Sequence, residues 1–72
     1  MSPADKFKAC PAADREAALM ALTIRATSLG IEAEAHREFG GDALADIVAG
    51  QQTAVLAALD VLRALHKEAP NG

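Results

Sequence analysis

The side chains that could do chemistry in this 72-residue chain are few and lie far apart in the sequence. His36 and His66 are its only histidines, and in two antiparallel helices joined between them they would lie roughly 30 Å apart, since a helix rises about 1.5 Å per residue. Cys10 is the only cysteine, which excludes an internal disulfide. The two serines, Ser2 and Ser28, have no neighbouring histidine and aspartate that would activate a nucleophile. We therefore predict that the protein is not an enzyme.

Two closer pairs of side chains also favour structural roles. Glu32 and His36 are one helical turn apart, but two ligands without a third make a poor metal site, and a surface pair explains them more simply. Asp42 and Asp46 have the same spacing, and their charges suit the positive end of a helix. The sequence therefore predicts no catalytic residue, no metal site and no bound cofactor.

The charge and composition of the chain exclude some classes of partner. The net charge is −3 with a pI near 5.1, and the basic residues form no stripe that would suit a phosphate backbone, so we expect no nucleic-acid partner. We take 17–24 and 53–59 as the longest uncharged apolar stretches, which are too short to cross a bilayer, and residues 1–8 lack the apolar region of a signal peptide. We predict a cytoplasmic protein that uses no membrane, in agreement with its single cysteine.

The pattern of apolar residues predicts an all-α fold, an antiparallel helical hairpin preceded by a short helical segment. We expect one domain over residues 1–72, with an N-terminal segment at 2–9, a first arm at 11–39, a turn at 40–42 and a second arm at 43–68. Ser2 is the predicted N-cap of the short segment, with Pro3 at its first helical position.

The predicted turn is Gly40-Gly41-Asp42, in which the glycines allow a tight reversal and Asp42 would cap the second arm. In the antiparallel register Gly30 falls opposite Gly50 or Gln51, so that two glycines at one level would allow a close approach or a shared bend. The alternative is that Gly30 and Gly50 each break an arm, which would give a bundle of shorter helices.

The two arms differ in the distribution of their apolar residues. The second arm has one wide apolar face, which we expect to be buried, formed by Leu44, Ile47, Val48, Val55, Leu59, Leu62 and Leu65. The first arm has two opposed stripes: one contains Leu19, Leu22, Ala26, Leu29 and Ala33, and the other contains Met20, Ile24 and Ile31. A hairpin can cover only one of these stripes, so the other would be left in water.

We expect the Leu19 stripe to pack on the second arm, and Met20, Ile24, Ile31 and Leu56 to form a protein interface, although the two stripes could exchange roles. One alternative is that the segment containing Phe7 folds back over Met20 and Ile24 and closes a three-helix bundle. Otherwise the hairpin is completed by a larger helical partner or by a second copy, which would make a homodimeric four-helix bundle.

The turn Phe39-Gly40-Gly41-Asp42-Ala43 and the Ala/Leu-rich segment 51–59 make residues 15–66 similar to the small co-chaperones of type III secretion needle subunits. The resemblance implies a hairpin that pairs with a larger helical-repeat chaperone. Together the two would keep the needle subunit monomeric in the cytoplasm before export, and the apolar stripes of both arms would dock the larger chaperone. The alternative function is a homodimeric four-helix-bundle regulator or inhibitor that binds another protein.

Overall fold

The computed structural model describes residues 1–70, and these form three α-helices and no strand. The helices are α1 (Pro3–Ala9), α2 (Ala12–Glu38) and α3 (Asp42–Glu68). The two long helices pack against each other as a hairpin, and α1 packs against α3. The predicted all-α hairpin with a short N-terminal helix is therefore confirmed. Asn71 and Gly72 lie outside the described residues.

The start of α1 follows from its first residues. The hydroxyl of Ser2 accepts a hydrogen bond from the backbone N–H of Asp5 at 3.2 Å, and Pro3 occupies the first helical position, where no N–H is needed. The helix ends at Ala9 because Cys10 precedes a proline and takes an extended conformation. The predicted cap at Ser2 is confirmed.

The turn between α2 and α3 is closed by two backbone hydrogen bonds. The N–H of Gly41 donates to the carbonyl of His36 at 2.7 Å, and that of Gly40 donates to Arg37 at 3.2 Å, which together form a Schellman motif. Gly40 has a φ of +80°, a conformation that favours glycine. The prediction that Asp42 caps α3 is wrong: Gly41 is the N-cap residue, no side chain makes a cap hydrogen bond there, and Asp42 is the first residue of the helix.

The interior of the hairpin lies along one face of each long helix. On α2 this face contains the buried residues Ala26, Leu29 and Ala33, while Leu19 and Leu22 are half-buried. On α3 the buried residues are Ala45, Val48 and Leu59. The Leu19 stripe of the first arm is therefore the inner one, as expected from its spacing of three and four residues.

Neither Gly30 nor Gly50 interrupts its helix, so the alternative of a bundle of shorter helices is wrong. The two glycines also do not face each other. Gly30 faces Gln52, whose amide Nε2 donates to the carbonyl of Ala26 at 2.9 Å, whereas Gly50 is exposed. A Cβ at position 30 would lie 2.6 Å from that Nε2, so the absent side chain is what lets Gln52 reach across to α2.

This difference predicts opposite effects of alanine at the two glycines. Gly50→Ala should raise the free energy of unfolding by about 1 kcal/mol, because alanine favours a helix and nothing lies within 4 Å of the added carbon. Gly30→Ala should be near neutral, since the same gain is offset by about 1 kcal/mol when the Gln52 hydrogen bond is displaced. Urea denaturation measures both values. Stabilisation by Gly30→Ala equal to that by Gly50→Ala would contradict the role of Gln52.

Candidate protein-binding surface

The side of α2 turned away from α3 carries three large apolar residues, which we call the outer stripe. Met20, Ile24 and Ile31 are 66%, 60% and 64% exposed. Their spacing of four and seven residues places them on one side of the helix. Because α1 packs on α3 and leaves Met20 and Ile24 exposed, the alternative in which the Phe7 segment covers these residues is wrong.

Leu56 was predicted to belong to the same interface, and the structure places it elsewhere. It lies on α3 and is 43% exposed. Since α3 occupies the inner face of α2, a residue of α3 does not extend the outer stripe, which lies on the opposite face. The structure therefore brings Met20, Ile24 and Ile31 together and leaves Leu56 separate.

A second apolar surface, the α3 side stripe, consists of Leu44, Ile47 and Val61. These side chains are between 54% and 60% exposed. The prediction that Leu44 and Ile47 belong to the packed face of the second arm is wrong, because one neighbouring helix covers only the centre of so wide a face. Their spacing of three and fourteen residues keeps them on one side of α3. The positions between them at seven-residue spacing are all uncharged: Gln51, Ala54 and Ala58.

Acidic side chains lie at both ends of the outer stripe. Asp14 and Glu16 precede it, and Glu32, Glu34 and Glu38 follow it, and all five are exposed. Within residues 1–70, Glu32 lies 3.7 Å from His36, and the other four acids make no ion pair. One charged residue, Arg25, lies beside the middle of the stripe. The surface is therefore apolar along its centre and negative at its ends.

Arg15, which is 2% exposed, holds together the end of the hairpin opposite the turn. Its Nε donates to Nδ1 of His66 at 3.0 Å, and its Nη2 donates to the carbonyl of Pro70 at 3.0 Å. Its Nη1 donates to the carbonyls of Cys10 and, at 3.3 Å, Lys8. One guanidinium therefore links the end of α1, the segment before α2, and the end of α3.

The sequence did not single out Arg15 or its contact with His66. His66 does lie in the last turn of α3, but its ring also accepts the hydrogen bond from Arg15. A signal for Arg15 exists in the sequence: it lies four residues before Leu19, at the next position of the inner stripe. An arginine at such a position is expected to find acceptors at the helix ends, where carbonyls are free.

The residues considered for chemistry remain separate in the fold. Within the described part of the chain, no group of three or more potential metal ligands comes together, and no pocket is present. Cys10 is exposed, and its Sγ donates to the carbonyl of Lys6 at 3.2 Å. Asp46 forms an ion pair with Arg37 at 3.1 Å instead of pairing with Asp42. The two exposed apolar surfaces are thus the candidate functional features.

By length and composition alone, α3 is apolar enough to cross a membrane, and it is the one helix of residues 1–70 with this property. The predicted uncharged stretch at 53–59 is too short, because α3 has no charged residue between Asp46 and Asp60. The core helix of a soluble protein has the same property. The absence of a membrane role stays a prediction.

Comparisons with protein-family models, with curated proteins and with solved structures found no match to this chain.

Proposed function

We propose that the protein is a small helical adaptor or co-chaperone that binds another protein through the outer stripe. The observation that carries this proposal is the exposure of Met20, Ile24 and Ile31 along one side of a 27-residue helix, with α1 docked elsewhere. An apolar stripe at helical spacing is the surface on which a partner helix packs. Burial of these three side chains would contribute several kcal/mol to binding, at about 1.5–3 kcal/mol for each fully buried side chain.

The resemblance to needle-subunit co-chaperones suggests the most specific form of this proposal. In that form a larger helical-repeat chaperone occupies the outer stripe, and the pair keeps an export substrate soluble in the cytoplasm. The adaptor function itself requires only the outer stripe. Any partner with an apolar helix could occupy that stripe.

A second candidate function is a homodimeric four-helix-bundle regulator, and the α3 side stripe favours it. Leu44, Ile47 and Val61 lie on a side of α3 whose heptad positions carry no charge between residues 44 and 61, so two copies could pack along that stretch without repulsion between like charges. The two candidates use different helices, so a pair of matched substitutions separates them.

Ile24→Asp and Ile47→Asp form that matched pair, because both isoleucines are exposed and each variant should remain folded by circular dichroism. Under the adaptor proposal, a tagged chain expressed in its native cell captures a stoichiometric partner, and Ile24→Asp weakens that complex by roughly 100-fold because an aspartate would be buried against apolar groups. Ile47→Asp should retain the complex.

Light scattering coupled to size exclusion tests the second candidate in the same samples. A dimer that Ile47→Asp dissociates and Ile24→Asp leaves intact would favour the homodimer. Equal recovery of the partner by Ile24→Asp and the unaltered chain would remove the outer stripe as the binding surface.

A further inference from the structure

The charges around the outer stripe constrain what can occupy it. Glu16 lies at the N-terminal end of the stripe and Glu34 at its C-terminal end, and both are exposed. They lie on the same edge of the stripe, because the eighteen residues between them make five helical turns. The two carboxylates are about 27 Å apart along the helix axis. Asp14 and Glu32 likewise share the other edge. Each edge therefore has an acid at both ends.

This arrangement opposes self-association through the outer stripe in either direction. Antiparallel pairing centred on position 25, the middle of the stripe, would bring Glu16 of one copy beside Glu34 of the other. Parallel pairing would bring Glu34 of one copy beside Glu32 of the other. Residues that flank an apolar seam set partner choice through such contacts, and like charges there disfavour the pair.

The same charges also disfavour an anionic surface as the occupant. A bilayer containing anionic lipids attracts basic segments, and amphipathic helices that lie on it carry Lys and Arg beside their apolar face. Here the two ends of the apolar stripe are bordered by carboxylates, with Arg25 near its middle. Within residues 1–70 these carboxylates make no ion pair with Lys or Arg, and Glu32 lies 3.7 Å from His36.

We infer that the outer stripe takes a helix of another protein that has an apolar seam at three- and four-residue spacing and Lys or Arg at both ends of that seam. This inference depends on the proposed adaptor function and adds the chemistry of the partner. The apolar seam meets Met20, Ile24 and Ile31, and the basic residues pair with the acids at the two ends. The partner segment needs about 18 residues between its basic ends to match Glu16 and Glu34.

Two synthetic helical peptides of about 21 residues test this inference. Both have leucine at the seam positions; one has lysine at both ends and the other has glutamate at the same positions. Fluorescence anisotropy with the full chain should give a dissociation constant about tenfold or more lower for the lysine peptide, since several exposed pairs change from attraction to repulsion. The preference should shrink as salt is raised, because exposed charges are screened.

A charge-reversed chain is the matched control. Glu16→Lys with Glu34→Lys changes two exposed residues that make no ion pair in the described structure, and it should bind the glutamate peptide more tightly than the lysine peptide. This reversal would separate a charge effect from a general affinity for cationic peptides.

Equal binding of both peptides that is lost in Ile24→Asp would overturn the charge inference and leave the adaptor proposal in place. Peptide binding that Ile24→Asp does not weaken would remove both. A homodimer that Ile24→Asp dissociates would also overturn the inference, because a second copy would then occupy the stripe.

Discussion

Replacement of Arg15 by methionine is expected to lower the free energy of unfolding by about 2–3 kcal/mol and to release α1 from the hairpin. Methionine fills a similar volume but donates no hydrogen bond. The carbonyls of Cys10 and Pro70 and the ring of His66 would lose their donor. The effect is large because one side chain connects three separate parts of the chain, and the bonds of a charged donor are stronger than those of a neutral one.

Hydrogen exchange measured by mass spectrometry checks this result together with urea denaturation. In Arg15→Met, amides of α1 should lose most of their protection, while amides in the middle of α2 keep theirs. Arg25→Met is the matched control, since Arg25 is an exposed arginine of the same helix and makes no ion pair within residues 1–70. That variant should change stability by about 0.5 kcal/mol or less. Unchanged α1 protection in Arg15→Met would contradict the linking role.

The second large effect is expected at Leu59, the most completely buried large apolar side chain of the described residues, at 1% exposed. Leu59→Ala should cost about 2–5 kcal/mol, from lost burial and from the cavity that remains. A chain of this length has about 3–5 kcal/mol of net stability from its core. Much of the isolated variant should therefore be unfolded at room temperature.

Circular dichroism during thermal and urea denaturation measures this loss. Leu56→Ala is the matched control: it changes the same residue type three positions away, where the side chain is 43% exposed. We expect it to cost about 1 kcal/mol or less, since far less area is returned to water. Similar destabilisation by both substitutions would show that Leu59 does not hold the two long helices together.

The hairpin could be predicted because its signals are local. Gly40 and Gly41 lie between two long segments of helical periodicity, and the spacing of the Leu19 stripe identifies the inner face of α2. The exposure of Ile24 followed from the same pattern, since the opposite side of α2 could not pack on α3. These features depend on residue spacing within one helix.

The features that were missed depend on how the helices lie against one another. Leu44 and Ile47 were assigned to the interior because the apolar face of the second arm is wide, and its exact rotation decides which edge stays exposed. Arg15 gains its partners only when the chain ends meet, which brings Lys8 and Pro70 to the same place. Gln52 lies opposite Gly30, where Gly50 or Gln51 was expected, because its amide reaches α2 through the space left by the missing side chain of Gly30.

The molecule is a rod with principal extents of 48, 20 and 15 Å. A helix bound along the outer stripe would lie parallel to the long axis, so the complex would thicken without becoming much longer. Small-angle X-ray scattering should then show a larger cross-sectional radius at a nearly constant maximum dimension. End-to-end assembly would instead lengthen the scattering particle at constant thickness, so the elongated shape makes the direction of assembly measurable in solution.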